Sequence, residues 1–324
     1  MNNIEIAIIV NSFNRFSLLK ESVASLSWIG NSKYKDKIAV IVFEAGSTDG
    51  SLIWLSENKS LFPFPMEIII PEVGEDTSFS AGINSGVSKS QVLYPQLKYL
   101  LFFETDNQIF SVESFEKAEK QLQVRSELAA CGFTVKKHNG ESAGIGTTFP
   151  NLFHFLIGLQ LTNRLHLDQL PLNWCKEDND NTLFSFIDCV YTSPLLISLK
   201  AWNQSGGLDQ KVFPFSDCDV DWAKRLNLLG WKMGVVKTED VIHDNRETLS
   251  AWSKMRAMQF HRGRLRYFKR FHPVLLYLVW PIPMMLRHIF ELFLVKIFIW
   301  NTTRRKQLSQ QFSGLIKRCF YSYE

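Results

Sequence analysis

The chain has 324 residues, 46% of them hydrophobic and 21% charged, with 36 Lys+Arg against 32 Asp+Glu, a formal net charge of +4 and a mean hydropathy of −0.05. This composition describes a globular chain and excludes a disordered or fibrous one; at about 150 residues per domain it makes one large domain or two smaller ones. The charge is unevenly placed: residues 254–324 hold 14 Lys+Arg and two acids, a net +12, which leaves 22 against 30, a net −8, for residues 1–253.

The opening MNNIEIAIIV lacks the basic and long apolar regions of a secretory signal, and the expectation is a cytosolic chain. Five cysteines, Cys131, Cys175, Cys189, Cys218 and Cys319, stand far apart without a CxxC pair, which argues for a reducing compartment and against structural zinc. The β-branched run 4–10 predicts a strand, and the helical spacing over 17–26 predicts a helix with Ser17 as its cap. A second strand over 38–43 ends in Ala45-Gly46-Ser47-Thr48-Asp49-Gly50, and a helix follows over 51–58. A third strand over 66–70 leads through a polar loop to a helix over 81–87, and a fourth over 99–103 ends in Glu104-Thr105-Asp106. Strands separated by helices imply parallel strands joined by right-handed crossovers. Ligands of such sheets bind at the carboxyl ends of the strands, so residues 11–15, 44–49 and 104–106 are expected to converge on one edge. Residues 132–185 lack clear periodicity and read as acceptor-side loops around an added strand. Regular structure returns over 187–198 and 201–208, then as a helix over 219–229 stopped by Gly230 and a strand over 232–236.

Glu104 and Asp106 stand two apart past a buried strand, able to aim two hard oxygen ligands at one Mg2+ or Mn2+ that also binds a diphosphate. A solvated strand-to-loop turn is the alternative. Asp217, Asp219 and Asp221 form a second cluster. Three acids at alternate positions repel one another, which tends to raise a carboxylate pKa toward general-base use, whereas helix capping accounts for one or two of them. Asp49 follows a turn that presents backbone N–H groups, and Glu44 is placed to accept from a nucleobase N–H; turn chemistry serves equally for both. His243, after Val241-Ile242, reads as a metal or phosphate ligand or as a structural histidine.

These pieces occur in the order found in the family 2 glycosyltransferases. Residues 6–15, IAIIVNSFNR, resemble the family's opening strand and "PTYNR" loop; FEAGSTDGS, from Phe43, is similar to "DNGSTDGS". AGINSG, from Ala81, is similar to the "aaarNxG" helix, and Glu104-Thr105-Asp106 takes the place of the DxD motif. Gly206-Gly207-Leu208-Asp209 resembles "GGFDE", Cys218-Asp219-Val220-Asp221 with Arg225 resembles "EDxDxxxR", and YFKRFHP, from Tyr267, is close to the ending of rhamnosyltransferase-like members. The resemblance runs from about residue 4 to about residue 273 and implies a GT-A fold: a mixed, mainly parallel sheet flanked by helices. It implies a nucleotide-diphosphate sugar as donor and Mn2+ or Mg2+ held near Asp106, with Glu104 and His243 as the further candidate ligands. It implies a nucleotide-sugar site of Asn11, Asn14, Arg15, Glu44, Gly46, Ser47, Asp49, Asn84, Glu104 and Thr105, with Glu44 and Asp49 on the nucleoside and Asn84 near the donor. Asp219 would be the base, with Asp217 and Asp221 beside it. Glu44 and Glu104 stand where the family has Asp, and Cys218 where it has Glu.

The domain expectation is a glycosyltransferase domain over 1–250, with a nucleotide-binding half to about 110 and an acceptor half after it, then a basic, apolar helical region over 251–324. In that region the apolar run 273–286 is shorter than the ~20 residues of a bilayer crossing and contains Pro281 and Pro283. It reads as an interfacial helix pair whose basic flanks meet the anionic inner leaflet; a helix packed on the body or a homo-oligomer contact is the alternative. Nucleic acid is not expected as a partner, because the aromatics sit in apolar runs. The combined expectation is an inverting, membrane-associated bacterial glycosyltransferase, peripheral on the cytoplasmic face, that moves a hexosyl or deoxyhexosyl group to a glycan or lipid-linked acceptor in surface-polysaccharide synthesis. The alternatives are a sugar-phosphate nucleotidyltransferase, which calls for a glycine-rich basic loop that residues 11–15 lack, and a catalytically silent membrane-bound scaffold of the same fold.

Overall fold

A computed structural model of the chain describes residues 3–167, 170–176, 182–191, 194–246 and 254–320. Positions 192 and 193 of the run predicted over 187–198, and 251–253 and 321–324 of the predicted tail, lie outside the described residues. The chain divides into two units: Met1–Thr148, Leu170–Pro214 and Cys218–Asn245 form the first, and Phe149–Gln169, Phe215–Asp217 and Arg246–Glu324 the second.

The first unit is built on β1 (Ile6–Ser12), β2 (Ile38–Glu44), β3 (Met66–Ile69) and β4 (Tyr99–Glu104). β2 is buried throughout and β1 nearly so, and strands covered on both faces read as unbroken apolar runs because neither face meets water. Short β5 (Asn107–Ile109) follows, then β6 (Leu128–Phe133), β7 (Val135–Lys136), β8 (Ser142–Gly144) and β9 (Gly146–Thr147). The remaining strands are β10 (Cys175–Lys176), β11 (Leu183–Ile187), β12 (Cys189–Val190), β13 (Leu195–Ser198), β14 (Lys232–Val236) and β15 (Val241–His243).

Nine of them form one sheet in the order β10-β11-β14-β6-β13-β4-β1-β2-β3. The segment β3-β2-β1-β4 is parallel, whereas β13 runs antiparallel to both β4 and β6. Among the described residues this sheet has four parallel and four antiparallel pairings; three of the parallel ones lie in β3-β2-β1-β4 and the fourth joins β14 to β6. The chain moves outward from β1 to β2 and β3, then returns to place β4 on the other side of β1. That reversal is the switch point at which open α/β sheets leave a crevice beyond their carboxyl ends. A second sheet, β5-β15-β7-β8, lies past the end of β4, and in it β15 pairs antiparallel with β5, setting His243 opposite Asn107.

The helix Ser51–Asn58 and strand β14 fall where the periodicity places them. The helix predicted over 81–87 is longer, Phe79–Leu93, because the Ser78 hydroxyl accepts from the Ala81 N–H and starts it earlier. Ser17 is not a cap: the first helix is Phe16–Ser25, and its Phe16 N–H is satisfied by the Asp49 carboxylate from the loop after β2. The helix Val112–Val124 and β6 are elements additional to those expected from the sequence. The second unit is helical, with Lys254–Phe271, Pro273–Val279, Ile282–Phe298 and Thr302–Phe320 as its main elements.

Candidate active site

The loops leaving β1 and β2 are tied to each other by side chains. The Asn14 N–H donates to the Ser47 hydroxyl at 2.9 Å, and the Thr48 N–H donates to Asn14 Oδ1 at 2.8 Å. Asn14 sits at φ 49, a left-handed conformation that asparagine tolerates better than most residues. Glu44 is wholly buried. Its carboxylate accepts from the N–H groups of Gly46 and Ser47 at 3.1–3.2 Å and from the Ser47 hydroxyl. The expected contact of Glu44 with a nucleobase therefore finds no support in its geometry: the carboxylate is spent on shaping the turn.

Asp49 bridges two helix starts. Oδ2 accepts from the Phe16 N–H at 2.8 Å, and Oδ1 accepts from the Ser51 N–H at 3.1 Å and the Ser51 hydroxyl at 2.6 Å. Partial burial pushes its carboxyl up, but the Ser51 hydroxyl and the backbone N–H groups of Phe16 and Ser51 outweigh that and hold it below the usual carboxylate value.

Asp106, past the end of β4, is buried and receives Arg15 Nη1 at 2.8 Å on Oδ2. Its Oδ1 is buried and has no hydrogen-bond partner among the described residues; it lies 3.7 Å from Nε2 of His243. That separation is too long for a hydrogen bond. Two metal–ligand bonds of ~2.0–2.2 Å can bridge it. An orphaned buried carboxylate oxygen is costly; the carboxylate suits Mn2+ or Mg2+ completed by phosphate oxygens and water, and the imidazole beside it favours the transition metal of the two. Among the described residues no group of three or more His, Cys, Asp or Glu is gathered to hold a cation, so Glu104 does not join Asp106 and His243 in a triad. The Glu104 N–H is held by Asn107 Oδ1 at 2.9 Å, and the Asp244 N–H donates to the Asp106 carbonyl at 3.0 Å. Thr105 is buried beside them.

The Phe79–Leu93 helix links this edge to the second acidic cluster. Asn11 Nδ2 donates to the Phe79 carbonyl at 3.1 Å, while the Ser80 N–H and hydroxyl donate to the carbonyls of Pro214 and Phe213. Gly82 is required here, since a Cβ would lie 2.7 Å from Asn11 Oδ1. The Asn84 amide holds the turn after Gly207, donating to the Leu208 carbonyl at 2.9 Å and accepting from the Leu208 N–H at 3.1 Å.

The three aspartates differ in kind. Asp217 belongs to the second unit and is held by Arg264, Nε at 2.9 Å and Nη2 at 3.2 Å. Asp221 is wholly buried and accepts from Arg225 Nε at 2.9 Å; Arg225 in turn donates to the carbonyls of Ser205 and Gly207. Asp219 is half-buried in the first turn of the helix Cys218–Leu228, with Oδ1 accepting from the Val220 N–H at 2.9 Å. Arginines thus meet Asp217 and Asp221, which offsets the repulsion expected of three alternating acids. Arg225, four residues after Asp221, is legible as a helical i,i+4 pair; Arg264, 47 residues from Asp217, has no local signal.

No protein-family model and no curated protein matches the chain. Solved structures do. A mannosyltransferase, PcManGT, from Pyrobaculum calidifontis, in complex with GDP-Man and Mn2+, aligns with 13% identity and a TM-score of 0.52 over 96% of this chain and 85% of that one. TarS of S. aureus aligns with 10% identity and a TM-score of 0.51 over 99% of this chain and 55% of that one. GalNAc-T7 with UDP, GalNAc and Mn2+ aligns with 11% identity and a TM-score of 0.56 over 98% and 56%. The chain thus spans just over half the length of the latter two. The shared architecture is the GT-A fold.

Proposed function

We propose that this chain is an inverting glycosyltransferase of the family 2 type, moving a sugar from a nucleotide-diphosphate donor to a glycan or lipid-linked acceptor. The observation that carries the proposal is the buried Asp106 carboxylate, fixed by Arg15 on one oxygen and left open toward His243 on the other, at the sheet's switch point. Asp106 and His243 would hold a divalent cation, Mn2+ or Mg2+, which when bound stabilises the charge that develops on the departing diphosphate. Around it the loops fixed by Asn14, Glu44, Ser47 and Asp49 form a rigid rim for the nucleoside, shaped before the ligand arrives. Asp219 is the candidate base by its place: it stands at the position of the base in the segment that resembles "EDxDxxxR", half-buried in the first turn of the helix Cys218–Leu228. As the acceptor oxygen bonds to the anomeric carbon, the carbon–oxygen bond to the diphosphate breaks and the hydroxyl proton passes to Asp219. A single displacement from the opposite face inverts the anomeric centre.

The relatives in fold with bound GDP-Man or UDP support a nucleotide-sugar donor. The resemblance to rhamnosyltransferase-like members supports a hexosyl or deoxyhexosyl group and a role in bacterial surface-polysaccharide synthesis. The cytoplasmic membrane face is the proposed place of action; no helix among the described residues is long and apolar enough to cross a membrane, which suits peripheral attachment. Hydrolysis and transfer across a panel of nucleotide sugars, with Mn2+ and with chelator, test the reading: cation-dependent release of one nucleoside diphosphate is expected. Release unaffected by chelator, or none with any donor, overturns it.

A further inference from the structure

The second unit carries a surface that the chemistry above does not use. One side of the helix Ile282–Phe298 is inward: Met284, His288 and Val295 are buried, and Val295 packs with Phe312 and Leu315 of the helix Thr302–Phe320. On the other side Ile282, Leu286, Ile289, Phe290, Phe293 and Ile297 are all exposed. Their spacing of four, three, one, three and four residues lays them along a single stripe. Lys296 is exposed at the edge of the stripe, and the other two charges of the helix are paired. Arg287 is bonded to Glu291 at 2.9–3.0 Å and to the Phe155 carbonyl, and Glu291 also meets His288 Nδ1 at 2.8 Å. The helix Pro273–Val279 adds exposed Val274, Leu275 and Leu278. Contiguous apolar surface of this kind marks an interaction site.

Charge selects the occupant. The segment 254–324 holds 14 Lys+Arg and two acids, so stacking two copies face to face would oppose two strongly cationic segments. An anionic surface meets no such repulsion. Trp300 is 88% exposed at the end of the stripe, and the exposed Arg304-Arg305-Lys306 follow it at once. A tryptophan at the edge of an apolar stripe, with basic residues beside it, is the pattern that settles at headgroup depth.

We propose that the outer face of the helix Ile282–Phe298, continued by Pro273–Val279, lies in the interfacial layer of an anionic lipid bilayer, with Arg304, Arg305 and Lys306 on the headgroups. This deepens the membrane part of the proposed function and rests on that part alone; the donor chemistry is independent of it. The test is flotation of the full-length protein with phosphatidylcholine vesicles, with and without phosphatidylglycerol. Wild-type protein floats with the anionic vesicles. Phe290→Glu with Phe293→Glu lowers its partition by about tenfold or more. Arg304→Ser, Arg305→Ser and Lys306→Ser together lower it by roughly 100-fold on anionic vesicles and leave binding to neutral ones unchanged. Val92→Glu, an equally exposed apolar position in the first unit, changes nothing. Undiminished flotation of the Phe290/Phe293 variant overturns the assignment of this face while the membrane reading survives. Failure of the wild-type protein to float overturns both. A dimer that this variant dissolves, without flotation, gives the face to a second copy and also overturns the proposal. Thermal shifts with Mn2+ and nucleoside diphosphate on the same samples report on the donor site separately, and their absence in wild-type protein counts against the donor reading without touching the face.

Discussion

Replacing Asp106 with asparagine removes one negative charge and keeps the shape of a buried side chain. If Asp106 serves only to anchor Arg15, the change loses one charge-assisted hydrogen bond, worth about 1.5–3 kcal/mol and less here because Arg15 is partly exposed. Any effect of added cation and nucleotide is then the same in variant and wild type. If Oδ1 is a cation ligand, the two proteins diverge. A ligand present at 100 times its Kd stabilises the folded state by about 2.7 kcal/mol, and at ~2–4 °C per kcal/mol for a domain of this size that raises Tm by about 5–10 °C. Scanning fluorimetry with Mn2+ and GDP or UDP is expected to show that rise in wild-type protein and almost none in Asp106→Asn. His243→Gln is expected to weaken cation affinity by at least the 10–100-fold typical of changes around a metal, shifting the midpoint of the Mn2+ titration. Both variants retaining the full Mn2+-dependent rise would refute the pairing of Asp106 with His243 as the cation site.

Asp219→Asn is expected to lower kcat by about 10²–10⁴ with donor KM little changed, and full turnover in steady-state assays removes it from the role of base. Asp221→Asn acts on stability: Arg225 loses its carboxylate but keeps the carbonyls of Ser205 and Gly207 and some solvent, so urea unfolding is expected to show a loss of about 1.5–3 kcal/mol, whereas unaltered stability means that the clamp does not hold the helix Cys218–Leu228. The second unit is expected to weaken in acid. Burial, reinforced by the nearby charges of His288, Arg287 and Arg318, holds His261 well below its ordinary value, so the unfolded chain takes up the proton that the folded one refuses. Stability is therefore complete above the unfolded histidine pKa of ~6.5 and falls by up to about 1.4 kcal/mol per pH unit below it. His261→Leu is expected to flatten that dependence between pH 7 and 5 in thermal unfolding, and an unchanged slope assigns the acid sensitivity elsewhere.

The parts of this fold that could be read from the chain are those whose physics is local. β1, β2 and β4 announce themselves because strands buried on both faces are written as unbroken apolar runs, and the polar residues that end them lie where a parallel sheet must open. β6 is not legible because the middle of its sequence, AACG between Leu128 and Phe133, is made of small residues. The reason is long-range: a Cβ on Gly132 would meet Val190 Cγ1 at 2.3 Å, so small size there records a neighbour 58 positions away rather than a weak strand. The helix Val112–Val124 did carry a local signal, the Ser111 hydroxyl accepting from the Ser114 N–H and the buried spacing of Phe115, Ala118 and Leu122.

The acids show the same division more sharply. In sequence Asp217, Asp219 and Asp221 are alike, three carboxylates at alternate positions. In three dimensions Asp221 is met by a helical neighbour and Asp217 by an arginine 47 residues on. Glu44 looks as accessible in the chain as Asp49, yet the first is wholly buried and the second exposed. What separates a reactive carboxylate from a structural one is which cation or N–H reaches it first, and those partners are brought up by the fold. The candidate base is accordingly identified by its own position in the motif, and the fold adds what the motif does not show, the arginines that hold its neighbours.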